Sequence, residues 1–86
     1  MDYPKFTFTP KWKEELVCSC SQGGFIIEMT MGVDGIYFPT ENKWKTEAPN
    51  WTLIYWDSIR AQLSSWCEKN KIPLYVDESA WVQNQA

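Results

Sequence analysis

The chain has no histidine, only four glycines among its 86 residues, and an odd number of cysteines, three. Without histidine it lacks the commonest general base and the triads built on it. A closed zinc site would need a carboxylate or a water beside Cys18, Cys20 and Cys67, so no metal is expected. No Gly-Lys-Ser/Thr occurs and the double glycine Gly23-Gly24 does not open a helical pattern, so no phosphate-cradling loop is expected. No stretch approaches the roughly 18 apolar residues that cross a bilayer. The opening "MDYPKFTFTPKW" lacks the basic segment and apolar run of a secretory signal. With the odd cysteine count, these features lead us to expect a soluble cytoplasmic protein in a reducing compartment.

Positive charge is also short. Eight Lys and Arg face eleven Asp and Glu, giving a net charge of −3 and a pI near 4.8. The molecule as a whole does not attract a phosphate backbone, and nucleic acid is not the expected partner. A 44% hydrophobic and 22% charged composition is that of a globular chain. Residues 1–86 are expected to form one small domain with a thin stability margin.

Aromatic residues are in excess. Six Trp, four Tyr and four Phe make 16% of the chain. A core this small is not expected to enclose Trp12, Trp44, Trp51, Trp56, Trp66 and Trp81 completely, so some should lie at the surface, where Trp is enriched among binding hot spots.

Period-two patterns dominate the first half. Phe6 and Phe8 alternate with Thr7 and Thr9, and Pro4 and Pro10 bracket them, which suits a short edge strand. "WKEELVCSCS" places Leu16, Cys18 and Cys20 on one face and Val17, Ser19 and Ser21 on the other. Gln22-Gly23-Gly24 has the composition of a tight turn. "FIIEMTM" returns with Phe25, Ile27, Met29 and Met31 on one face and Ile26, Glu28 and Thr30 on the other. Gly32-Val33-Asp34-Gly35 reads as a second turn and Ile36-Tyr37-Phe38 as a strand that Pro39 ends. The stretch from Pro39 to Asn50, "PTENKWKTEAPN", reads as a long polar loop, and such loops are often functional.

A helix follows, with Trp56, Ile59, Leu63, Trp66 and Cys67 forming one apolar stripe. Asp57 near its start and Lys69 and Lys71 near its end suit the helix dipole, Asn70 can end it, and Pro73 prevents its continuation. "WTLIY" before it fits either a first helical turn or a short strand. "IPLYV" alternates as a last strand, and residues 78–86 form a polar tail anchored by Trp81 and Val82. The expected fold is α+β: an antiparallel β-meander of three to five strands with one helix packed on one face, in the order (β)βββαβ.

The chemistry-bearing candidates are few. A Cys18–Cys20 disulfide is disfavoured, because side chains two apart on a strand are held roughly 6–7 Å apart. The thiols read as small core hydrophobes, with Cys67 on the helix opposite Cys18 and Cys20. Ser19, Ser21, Ser58, Ser64 and Ser65 have no activating partner in sequence, and Glu14/Glu15 and Asp77/Glu78 read as solvated faces. The pattern Lys-Trp-Lys-x-Glu occurs twice, at Lys11 to Glu15 and at Lys43 to Glu47. Such rings could stack on bases, but Trp12 on a strand would point inward, and Glu14, Glu15 and Glu47 oppose phosphates.

These readings converge on a small, acidic, non-catalytic protein-binding domain without a cofactor, of the inhibitor or immunity type, which occludes a partner protein. Lys43, Trp44, Lys45, Glu47 and Trp51 would form the contact loop, with Asp34 on the neighbouring turn and Trp44 as the buried anchor. The alternatives are a small-ligand or single-stranded nucleic-acid binder using the Lys-Trp-Lys rings, and a homodimer that covers its aromatic surface by self-association.

Overall fold

A computed structural model describes residues 4–11, 14–30 and 35–85. Four strands come first: β1 Thr7–Lys11, β2 Glu15–Cys20, β3 Gly23–Thr30 and β4 Gly35–Pro39. Each pairs antiparallel with the next, joined by short connections. The β2–β3 turn is Ser21–Gln22, since Cys20 pairs with Gly23. Gly23 opens β3 at φ 148° with the Trp51 ring above it: a Cβ there would sit 3.2 Å from the indole. The positive φ favours glycine, and any Cβ would press on the indole. Of the turn expected at Gly32 to Gly35, Gly35 opens β4, and the other three residues lie outside the described residues, as do Trp12 and Met31.

The chain then crosses back over one face. Helix α1, Glu41–Glu47, leads into a 3-10 helix, Asn50–Tyr55, and then into α2, Trp56–Asn70. The crossover delivers β5, Leu74–Asp77, parallel to β4, and β6, Val82–Asn84, then pairs antiparallel with β3. The sheet is therefore mixed rather than wholly antiparallel, and it has six strands in place of the expected three to five. The parallel pair follows from the connection, because a helical crossover returns the chain to the end of the sheet from which β4 started. β3 is the centre: β2 takes one edge, while β6 at Phe25 to Ile27 and β4 at Glu28 to Thr30 share the other. A third of the expected polar tail is thus a strand, held by Ala80 and Val82, both buried.

The helical stripe is as the spacing implies. Ile59, Leu63 and Cys67 are buried, and Trp56 and Trp66 are half-buried against the same core. Trp66 meets Phe8 of β1 with ring centroids 6.0 Å apart, and Trp56 stacks on Phe38 of β4 at 5.9 Å, so α2 spans most of the sheet. Asn70 is the last helical residue, and Lys71 takes the left-handed conformation at φ 58°. Ile72 N–H then closes the end on the Cys67 carbonyl at 2.9 Å. The stretch "WTLIY" is neither strand nor α-helix but most of the 3-10 segment leading into α2. No helix of the described residues is long and apolar enough to cross a membrane.

The stretch expected to be a loop holds the main surprise. Thr40 caps α1 by accepting from Lys43 N–H at 3.3 Å, and Trp44 projects into the core with no exposed surface. Its ring meets Phe25 edge-on, at 5.1 Å and 85°, and Phe38 at 5.1 Å. Its indole N–H donates to the Thr52 carbonyl at 3.2 Å. Trp44→Ala is expected to cost about 3–5 kcal/mol from the cavity alone, a large share of the roughly 5–15 kcal/mol available to a small domain. Urea unfolding checks this; a loss under 1 kcal/mol, roughly the scale of an exposed site, would contradict the burial.

Candidate functional site

The cysteines can be placed first. Cys18 and Cys67 are buried and Cys20 is half-buried, and all three are free thiols. Burial pushes the Cys18 thiol well above its ordinary range, with the nearby Cys67 adding to the shift, and burial raises Cys67 to about 11. Both are held as neutral thiols, unsuited to nucleophilic or redox work. Cys20 Sγ accepts from Gln22 N–H at 3.4 Å. No group of three metal-ligating side chains comes together among the described residues.

The expected contact loop does not assemble. Trp44 points into the core instead of outward, because α1 turns its one large apolar side chain toward Phe25 and Phe38. The same burial removes it as a stacking platform for bases. Trp51 is half-buried, stacked on Phe6 at 6.1 Å and 12° beside Gly23. It thereby holds the N-terminal segment against the β2–β3 hairpin. Lys43 and Glu47 form an i,i+4 ion pair of 3.1 Å on α1, and Lys45 is exposed nearby. Asp34 lies outside the described residues. Of the five described tryptophans only Trp44 is fully buried; Trp51, Trp56, Trp66 and Trp81 are half-buried. The core thus leaves most indoles incompletely enclosed, as expected, although none is exposed.

A different surface stands open. The α2 side of the sheet is core, whereas the opposite side carries Val17, Ile26, Glu28, Thr30 and Tyr37, all only half-buried, with Tyr75 48% exposed. The strand registers align this face into rows. One row runs Lys11, Glu15, Glu28, Tyr37, Tyr75 from edge to edge, and the next runs Thr9, Val17, Ile26, Gln83. Tyr37 and Tyr75 stack at 5.2 Å and 23°. Both rings lean over Gly35, where a Cβ would lie 3.3 Å from the Tyr75 ring and 3.6 Å from that of Tyr37. Glu15 sits directly opposite Glu28, and among the described residues neither forms an ion pair. Like charges so placed are mutually destabilising. The signal was present in sequence, since Val17, Ile26, Glu28 and Thr30 form the second face of the alternating strands. What the sequence withheld was that no element of the described residues covers it.

On the helical side, a shallow groove of about 580 Å³ lies between the N-terminal segment and α2, with Phe6, Phe8 and Trp66 among its lining residues and Lys5 and Lys69 beside them. Gln62 holds that segment in place, accepting from Phe6 N–H and donating to the Pro4 carbonyl, both at 2.8 Å. No protein-family model matches the chain, and neither a curated protein nor a solved structure matches it.

The raised thiols give a pH dependence. A folded-state pKa above the unfolded value means that the folded protein keeps its proton after the unfolded chain has lost it. The contribution is therefore complete below about pH 9 and is lost as pH rises through about 11. Urea midpoints measured between those limits should fall less steeply for Cys67→Ala than for the wild type. Equal slopes would show that Cys67 is not shielded from water.

Proposed function

We propose that this chain is a small, acidic, non-catalytic protein-binding domain of the inhibitor or immunity type, which acts by covering a basic surface of a partner protein. The contact surface is the uncovered face of the sheet rather than α1. One observation carries this reading: Glu15 and Glu28 face each other beside the stacked Tyr37 and Tyr75, and although Lys11 lies opposite Glu15 across the β1–β2 pair, neither carboxylate is in an ion pair among the described residues. A partner that brings Lys or Arg against this row relieves the repulsion and places a cation between carboxylates and aromatic rings.

The chemistry around the face agrees. Tyr is enriched at interfaces because its ring gives apolar contact and its hydroxyl a hydrogen bond, with little side-chain entropy to lose. Val17 and Ile26 add an apolar patch beside the charged row. The net charge of −3 favours encounter with a basic partner. A non-catalytic role also fits thiols held neutral by burial and a chain without histidine.

The test is affinity capture of the tagged protein from its native cells, beside Glu28→Lys and Tyr37→Ala versions whose folding is verified by circular dichroism. A stoichiometric basic protein should come down with the wild type, with binding that weakens as salt rises. Glu28→Lys should reduce its affinity at least tenfold, or about 1.4 kcal/mol. Recovery of nucleic acid instead, or equal capture by Glu28→Lys, would overturn the reading.

A further inference from the structure

The two edges of the sheet are built differently. β1 closes one edge with Pro10, which has no N–H to offer a new strand, and Lys11, whose charge resists burial there. β5 closes the other with Leu74-Tyr75-Val76-Asp77, which contains neither proline nor lysine. Ile36 N–H donates to the Pro73 carbonyl at 2.9 Å, and this bond sets the phase of the parallel ladder. By alternation, the backbone groups of Pro73, Tyr75 and Asp77 turn toward β4, and those of Leu74 and Val76 turn outward. The missing N–H of Pro73 is therefore on the inner side and leaves the outer edge intact. Tyr75 at 48% and Val76 at 39% exposure are two of the three exposed large hydrophobic residues among the described residues, Ile54 being the third. A groove of about 350 Å³, lined by Leu74, Val76, Ala61, Ser64, Asp57 and Arg60, separates this strand from α2.

The flanks of β5 say what fits there. Lys69 and Lys71 precede the strand, and Asp77 and Glu78 end it, all four exposed. The segment reads basic, apolar, acidic, so it is complementary to itself when reversed. An antiparallel copy lays its acidic end over the basic start of the first, and the two-fold axis repeats the match. We propose that the protein forms a symmetric homodimer by antiparallel pairing of its β5 edges, joining two sheets into one.

A register centred on Tyr75 pairs Leu74 with the second copy's Val76, and Val76 with the second copy's Leu74. The outward N–H and carbonyl groups of these residues then satisfy one another. Glu78 of one chain comes beside Ile72 of the other, one residue from Lys71. The small side chains of Ala61 and Ser64 leave room for the second copy's Val76 beside Leu74. The two Tyr75 rings meet on the uncovered face, with Cα atoms about 4.5 Å apart. This inference stands apart from the proposed function, although such a dimer doubles the uncovered face and sets the Tyr37 and Tyr75 rings of both copies at its centre.

Sedimentation equilibrium on the full chain tests it, from about 1 µM to 1 mM, a range that spans the affinities of small interfaces. The wild type should move from 10.1 kDa at low concentration to twice that mass at high concentration. Val76→Pro removes an outward N–H and should stay monomeric while keeping the folded circular dichroism spectrum. Lys71→Glu and Glu78→Lys should each weaken association at least tenfold alone, and an equimolar mixture of the two should recover it, because the altered charges then oppose. A mass of 10.1 kDa throughout, or a dimer that these variants leave as tight as wild type, would overturn the proposal.

Discussion

Most of the aromatic contacts in the core, the Phe8–Trp66 pair excepted, lead to Trp44. Its ring meets Phe25 and Phe38; Phe25 passes the contact to Phe6 and Trp51, and Phe38 passes it to Trp56. The result is one continuous run of six rings joining the N-terminal segment, β3, β4, α1, the 3-10 helix and the start of α2. Each such contact adds about 0.5–1.5 kcal/mol beyond area burial, which matters in a domain too small for a deep core. The run also fixes the polar chemistry inside it. The Trp44 N–H satisfies the Thr52 carbonyl, Thr52 Oγ1 donates to the Pro49 carbonyl at 2.6 Å, and the Trp56 N–H donates to the Pro39 carbonyl at 3.0 Å. Each indole closes a bend of the crossover that carries the chain from β4 to β5.

This use of the indoles decides what remains for recognition. With Trp44 enclosed and the other described tryptophans half-covered, the most exposed aromatic group of the described residues is Tyr75, stacked on Tyr37 on the far side of the sheet. The two rings stand beside glutamates that repel one another across the β2–β3 pair. A protein that keeps such a row open retains local destabilisation, as functional surfaces commonly do. The proposed binding role and the β5-edge pairing both use this half of the molecule, and neither asks anything of the core.

Much of the fold was legible because alternation and helical spacing are local signals. The strands through Phe38, the buried faces at Leu16, Phe25, Ile27 and Ile36, and the stripe of α2 all follow from them. The parallel placement of β5 was not legible, since "IPLYV" has the same pattern whichever neighbour it pairs with. The strand at Val82 to Asn84 was hidden by polar residues that face water while their backbone completes β3. Trp44 misled for a related reason. A seven-residue helix with one apolar residue has no stripe to recognise, and its single large side chain reads as exposed until the hollow between Phe25 and Phe38 is known. The uncovered face was visible as the second face of the strands, but which face a helix covers depends on long-range packing.

The most direct test of this account is hydrogen exchange of the indole N–H protons, read by nuclear magnetic resonance under native conditions. If the ring run is the core, the Trp44 proton, bonded to the Thr52 carbonyl, should exchange only as fast as the whole domain unfolds, alongside the amides of β3. Rapid exchange of that proton while β3 stays protected would contradict the account. It would return Trp44 to the surface and restore the segment around it as the contact site.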